Sequence, residues 1–342
     1  MTEFELIDRF FKAKAARLAQ QRRDTGSTSP VRLGIGDDCA LLQPDSGQQI
    51  AISTDMLVEN RHFLPDVAPD ALGHKALAVN LSDLAAMGAE PLGFTLALAL
   101  PPERAADETW LDAFGDGLLK LATEHACPLV GGDTTAGPLN LCITVFGQVH
   151  PGQALRRDGA RPGDEIWVSG TLGDARLALG VLRAEWSLPP GAFAAARARL
   201  ERPAPRLALG LALRGIATSC LDVSDGLIGD LGHILDASGV GATLREVLLP
   251  QPAALAELPA TEASLWGTAA RRALLLAGGD DYELAFTAPP ERHAAVLTAG
   301  AHTGVAVACI GRITAGSGLR VLDAAGDPVD IHALHSFDHF AN

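Results

Sequence analysis

The sequence is poor in features that would assign it quickly. Its five cysteines (Cys39, Cys127, Cys142, Cys220 and Cys309) are scattered, with no CxxC pair. That argues against zinc and a disulfide framework and leaves buried reduced thiols. No run of about 18 apolar residues occurs, which excludes a membrane-spanning helix. The first twenty residues, MTEFELIDRFFKAKAARLAQ, mix acids and bases without the apolar block of a secretory signal. A cytoplasmic protein with no membrane partner is expected. Aromatic residues make up 5% of the chain, so the core should be aliphatic. Bases are outnumbered, 27 Lys and Arg to 41 Asp and Glu, and the net charge of −14 argues against a nucleic-acid partner.

Familiar nucleotide signatures are missing too. There is no GxxxxGK[ST], and GIGDDC lacks the third glycine of a dinucleotide fingerprint while carrying two acids. DVSDG has Asp222 where a nucleophile elbow needs glycine, which disfavours a serine hydrolase. The histidines of HALHSFDHF have metal-like spacing but no acid or Cys constellation, and read as a solvated tail.

What is present is an ordinary globular composition, 48% hydrophobic and 20% charged, in 342 residues, a length that suits about two domains. Short apolar runs alternate with helical segments: IAISTDML, a helix near 71–88, GFTLALAL, a helix near 107–126, PLVGGDTT and LNLCITVFGQV. This is an α/β (α+β) pattern with mixed strands. The loop HPGQALRRDGARPGDE breaks it, and we place a boundary there, giving domains 1–150 and 151–342. The second half repeats the theme through EIWVSG, SCLDVSDGLIGDLGHIL and GGDDYELAFT, and AISTDML echoes CLDVSDGL.

Acids recur where apolar runs end: GIGDDCA (Asp37, Asp38), STDML (Asp55), NLSDL (Asp83), GGDTT (Asp133) and LDVSDG (Asp222, Ser224, Asp225). Taken singly, each reads as a cap or turn residue. Recurring five times, they read as oxygen donors for hard Mg²⁺, because clustered carboxylates need cations to hold them together. Asp83 is the sharpest case. At helical period its stripe runs Ala76, Val79, Asn80, Ala86 and Met87, a packing face on which a carboxylate needs a base, a helix start or a metal. Arg157, in RRDGARPGD, divides between phosphate contact and solvated loop charge. Lys75 divides between phosphate contact and snorkelling to solvent, with snorkelling favoured.

GIGDDCALL, STDMLVENRHFLPD, NLSDLAAMGAEP, GGDTTAGPL, RRDGARPGD, LDVSDGL and GGDDYEL, in this order over nearly the whole chain, resemble the successive motifs of thiamine-monophosphate kinases. NLSDLAAMGA alone indicates only the wider aminoimidazole ribonucleotide synthetase-like superfamily. The resemblance implies a two-domain fold in which the N-terminal halves of two subunits form a shared barrel, hence a homodimer. The N-terminal domain would bind ATP and Mg²⁺ and dimerise, and the C-terminal domain would complete the nucleotide and thiamine phosphate site. It implies transfer of the ATP γ-phosphate to thiamine monophosphate with several Mg²⁺ ions. By resemblance Asp38, Ser53, Thr54, Asp55, Asp83, Asp133, Asp222 and Asp225 would bind metal. Gly132, Asp133, Arg157 and Ser224 would meet ATP, and His62, Asp280 and Phe337 the thiamine phosphate.

The acceptor phosphate has a second pKa of about 6, so no general base is required and direct in-line transfer is expected. Two departures stand out: Asp280 where the family usually has Glu, and Phe337 where it tends to have Tyr or Trp. The alternatives are another ATP-dependent member of the superfamily, ligase or selenophosphate synthetase-like, and a non-catalytic Mg-nucleotide binding protein.

Overall fold

The computed structural model describes residues 5, 7–15, 30–33, 40–256 and 268–337. Two compact units divide the chain: Met1–Leu84 with Ala89–Gly152, and Ala85–Gly88 with Gln153–Asn342.

In the first unit, β1 (Val31–Leu33) and β2 (Leu41–Leu42) pair separately. A four-stranded sheet is built from β3 (Gln49–Val58), β4 (Glu90–Leu100), β5 (Leu129–Ala136) and β6 (Asn140–Val149), in the order β3-β6-β4-β5. β4 and β5 run parallel and the other pairs antiparallel, in keeping with the mixed α/β expectation. Period-two alternation sends Leu141, Ile143 and Val145 of β6 inward. The opposite face is apolar but uncovered, with Ile50, Ile52 and Met56 of β3 at 45%, 62% and 52% exposure.

The Pro69–Ala86 helix lies on the covered face. Proline at its first position and Asp70 in its first turn suit a helix start. Leu72, Leu77, Leu81 and Leu84 are all but fully buried, as a helix apolar nearly all round requires. It ends where Gly88 takes φ 58°, so that Gly88 N–H reaches Ala85 O (2.9 Å) and Ala89 N–H reaches Leu84 O (2.8 Å). These bonds satisfy carbonyls the last turn leaves open. Lys75 departs from expectation. It is 3% exposed, and its Nζ donates to His62 O at 3.4 Å, because the helix face it occupies turns toward the 58–63 turn and away from water.

Against this helix packs Glu108–Glu124, started by Asp107, whose side chain accepts from Trp110 N–H at 3.0 Å. The helices meet backbone to backbone. A Cβ added at Gly117 would collide with Asp70 O, and one at Gly73 with Phe114 O.

The second unit holds a six-stranded sheet in the order β12-β9-β11-β7-β10-β8. Its strands are β7 (Glu165–Ser169), β8 (Ser219–Val223), β9 (Gly241–Arg245), β10 (Glu283–Ala288), β11 (Val307–Thr314) and β12 (Gly318–Leu322). Only β9 and β12 pair in parallel. β7, β8 and β10 are buried along their whole length, and with the Leu227–Ser238 helix they enclose Ile166, Val168, Leu221, Val223, Leu231 and Ile234. Cys127 and Cys220 are buried free thiols and Cys142 and Cys309 are half-buried, while Cys39 lies outside the described residues.

Buried charge here is paired. Glu283, fully enclosed at the start of β10, accepts from Arg199 Nη2 (2.6 Å), Arg206 Nε (2.7 Å) and Ser169 Oγ (2.5 Å). Two residues earlier, both oxygens of Asp281 accept from Gly173 N–H at 2.9 Å. Burial holds the Asp281 carboxyl well above the usual carboxylate range; the Gly173 bond and Arg199 oppose this, while Glu283 and Asp174 reinforce it.

Two outcomes follow from this packing. Gly117→Ala should cost about 1–3 kcal/mol of stability through overpacking, read as a lower urea midpoint at unchanged m. For Asp281, the folded state holds a proton that the unfolded chain has already released. Its contribution is therefore full below the usual carboxylate range and declines as pH rises toward the folded pKa. Asp281→Asn should remove that decline, so the variant gains on the wild type as urea denaturation is repeated from pH 5 to 8. Parallel pH profiles would show that Asp281 ionises without penalty.

Candidate active site

In the first unit the structure brings Ser53, Asp55 and Asp83 together on the helix-covered side of β3. Ser53 Oγ donates to Asp83 Oδ2 at 2.5 Å, and Asn80 Oδ1 accepts from Asp55 N–H at 3.2 Å. Asn80 is itself anchored by donating Nδ2–H to Ala76 O (3.1 Å). A hydroxyl therefore meets the odd carboxylate of the apolar helix, which stays half-buried at the edge of the core. Thr54 points the other way, as strand alternation demands, and shares a hydrogen bond with Thr144 Oγ1 at 2.9 Å. Gly132 and Asp133 lie on β5, the sheet edge opposite β3, and Asp133 is exposed. His62 closes the turn after β3. Its Nδ1 accepts from Val58 N–H (2.9 Å), which leaves the proton of the neutral ring on Nε2. Asp38 and its neighbour Asp37 lie outside the described residues.

In the second unit, sequence positions far apart gather around one junction between β8 and the Leu227–Ser238 helix. Asp222 is the penultimate residue of the buried β8, and Ser224 and Asp225 form the turn. Ser224 O accepts from Asp280 N–H (2.8 Å), Val223 O from Tyr282 N–H (2.8 Å) and Asp225 O from Phe337 N–H (3.0 Å). The residues expected to meet metal, nucleotide and thiamine phosphate in this unit thus share one backbone hub, apart from Arg157. That side chain is exposed, and its carbonyl accepts from Ser238 Oγ (2.8 Å). The neighbouring Arg156 is forked onto Asp158 at 2.8 and 2.6 Å.

Three features escaped sequence reasoning. Asp280 and Tyr282 both take left-handed backbone, φ 64° and 51°, and Tyr282 Oη donates to Asp280 Oδ1 (3.2 Å). Strained non-glycine backbone of this kind gathers at functional sites, and GGDDYEL announces it only through its glycine pair. Asp230 reaches back to accept the N–H groups of Ser224, Asp225 and Gly226, and burial lifts its carboxyl to about 6 despite those donors. Lys75 grips the His62 carbonyl from inside the helix.

The donors are carboxylates, hydroxyls and carbonyls throughout, the set that suits a hard divalent cation and disfavours zinc. Among the described residues, no three His, Cys, Asp or Glu side chains converge as a ready-made metal cluster.

Comparison with known proteins places the chain. Residues 36–149 match the AIR synthase related protein N-terminal domain, and residues 161–324 the corresponding C-terminal domain. Thiamine-monophosphate kinase of Escherichia coli K12 is 45% identical over 99% of this chain and 98% of its own. The Haemophilus influenzae kinase is 40% identical over the same shares. Among solved structures, thiamine-monophosphate kinase of Stenotrophomonas maltophilia K279a superposes with a TM-score of 0.79 at 45% identity, covering 91% of this chain and 96% of that one. AaThiL complexed with AMPPCP and TMP gives 0.74 at 29%, covering 94% and 96%. E. coli HypE, a hydrogenase maturation protein, gives 0.69 at 21% identity over 94% and 97%, which speaks for the fold alone. With relatives this similar over almost its entire length and both domain models matched, the chain belongs to the thiamine-monophosphate kinase family of AIR synthase related proteins.

Proposed function

We propose that this protein transfers the γ-phosphate of ATP to thiamine monophosphate, yielding thiamine diphosphate. The observation that carries the reading is full-length kinship at 45% identity with the E. coli kinase, joined to the likeness to AaThiL complexed with AMPPCP and TMP. The oxygen-only donor set supports it. Asp38, Ser53, Asp55, Asp83, Asp133, Asp222 and Asp225 would hold Mg²⁺, which when bound offsets the negative charge of two phosphate esters meeting in an acidic protein, whereas the Thr54 hydroxyl, bonded to Thr144 on the other face of β3, leaves that set. Residues 1–150 would carry the ATP and Mg²⁺ donors of the first unit and the dimer face. Residues 151–342 would carry Arg157 and Ser224 for the nucleotide, and Asp280 and Phe337 for the thiamine phosphate, with Gly132 and His62 contributed from the first half.

Ser53 fixes the Asp83 carboxylate and Asn80 the backbone of Asp55 before any ligand arrives, so little reorganisation is needed when charge develops. Ser224 is left with its hydroxyl for the nucleotide, because its N–H is taken by Asp230. Phe337, 42% exposed, offers a ring face for stacking on the thiamine and no polar group. No side chain is assigned as general base, since the acceptor phosphate is already largely ionised near neutral pH, its second pKa being about 6.

The uncovered face of the four-stranded sheet supports a homodimer. Ile50, Ile52 and Met56 stand on it beside the half-buried Phe146, a row of apolar side chains that a monomer would leave in water.

Purified protein with ATP, Mg²⁺ and thiamine monophosphate should form thiamine diphosphate, and thiamine, lacking the ionised phosphate, should fail as acceptor. Asp83→Asn should fold normally by circular dichroism yet lose at least about 100-fold in kcat and need more Mg²⁺, the scale of losing several kcal/mol of charge stabilisation. Turnover unaltered by that change would give Asp83 a structural role only, such as accepting from Ser53. On the oligomer, Ile52→Glu should shift a dimeric sedimentation coefficient to that of a folded monomer, because a buried unpaired charge is costly at an apolar interface. An unshifted dimer would locate the interface elsewhere.

A further inference from the structure

The Leu227–Ser238 helix begins where Ser224, Asp225 and Gly226 turn three consecutive backbone N–H groups toward one point. Converging amides at the start of a helix make a seat for phosphate or another anion. In a protein whose ligands are phosphate esters, such a seat would be expected to stay open. Here the chain fills it with its own carboxylate: Asp230 Oδ2 accepts all three N–H groups, at 3.0, 3.0 and 3.1 Å, and the residue is 5% exposed.

Two consequences follow. With these three amides committed inward to Asp230, the side chains that border the turn are the Asp222 and Asp225 carboxylates and the Ser224 hydroxyl, oxygen donors that favour cations. The carbonyls of the same turn carry the GGDDY backbone through Asp280 and Tyr282, and the C-terminal segment through Phe337, while Gly229 N–H holds Ser336 Oγ at 3.0 Å. A shift of the turn would therefore move the metal-facing and thiamine-facing groups together.

We propose that Asp230 is a positioning residue that converts this helix start from an anion seat into a cation-facing turn and fixes the hub from which Asp280 and Phe337 are hung. The proposal rests on the kinase reading for its consequence in turnover, but the seat itself can be examined without turnover.

The test uses full-length Asp230→Ala and Asp230→Asn. In thermal unfolding without ATP or metal, sodium formate should enter the emptied seat of D230A and raise its Tm by about 3 °C or more over a sodium chloride control. The wild type and D230N, whose seats are filled, should gain less than about 1 °C over the same control. In the kinase assay, at a temperature where D230A is folded, its half-saturating Mg²⁺ should rise at least tenfold. Formate, or the Asn variant with its retained carbonyl acceptor, should bring it back to within threefold of wild type. A purely structural role would lower Tm and leave the Mg²⁺ requirement unmoved, and that result would overturn the proposal, as would formate failing to stabilise D230A. If D230A does not fold, Asp230→Glu serves instead: its extra methylene should displace the turn and raise half-saturating Mg²⁺, and a wild-type requirement would count against the proposal. Absence of turnover in the wild type would refute the kinase reading alone, with the formate melt still deciding the seat.

Discussion

Carboxylates cannot be gathered in a protein unless something neutralises each of them, and this constraint organises the chain more than any other. With 41 acids against 27 bases, there are not enough cationic side chains to pair them all. The fold resolves the shortage by sorting its acids. Glu283 takes two arginines and a hydroxyl, Asp281 takes a backbone amide, and Asp230 takes three. Those acids are enclosed and stay inside. Asp83 receives a serine hydroxyl from β3 while remaining half-buried, and Asp133 stands exposed. The internally satisfied acids form the frame, and the partly accessible ones stay within reach of solvent.

This sorting depends on close backbone packing. The Pro69–Ala86 helix can bring Asp83 against Ser53 because its neighbour approaches along Gly73 and Gly117, where there is no room for a side chain. Asn80 then ties that helix to Asp55 of β3 through a single amide. Lys75, on the same helix, holds the carbonyl of His62. One helix that reads as plain apolar packing thus positions groups on β3 and on the turn that follows it, which explains why polar residues interrupt it at Lys75, Asn80 and Asp83.

The alternation of short strands and helices was legible in the sequence, and so was the loop from residue 150 to 165, because apolar periodicity and Gly/Pro punctuation are local signals. The acid-bearing turns stand out in the sequence through their recurrence at the ends of apolar runs, since each alone is an ordinary cap or turn. What could not be read depends on approach between distant segments. Nothing near Glu283 announces that Arg199 and Arg206 will enclose it, and nothing around Lys75 says that its face of the helix meets the 58–63 turn in place of water. Ser53 and Thr54 were pooled as neighbours, although the strand period separates them onto opposite faces. Asp230 had a local signal that passed unused, an acid in the first turn of a helix that follows a Ser-Asp-Gly turn.

The same reasoning bears on Asp280, the position at which the family usually carries glutamate. Its backbone lies in the left-handed region at φ 64°, held there by Ser224 O on its N–H. Among non-glycine residues, Asp and Asn tolerate this region best, since a short polar side chain can hydrogen-bond locally where a longer one cannot. In this protein the local partner is the Tyr282 hydroxyl, itself on a residue with positive φ, so the two strained positions brace each other. Aspartate therefore relaxes the turn that glutamate would have to be forced into, at the loss of one methylene of reach. The hub fixed by Asp230 bears on that loss, because it sets where the Asp280 backbone starts and hence how far the shorter carboxylate can extend.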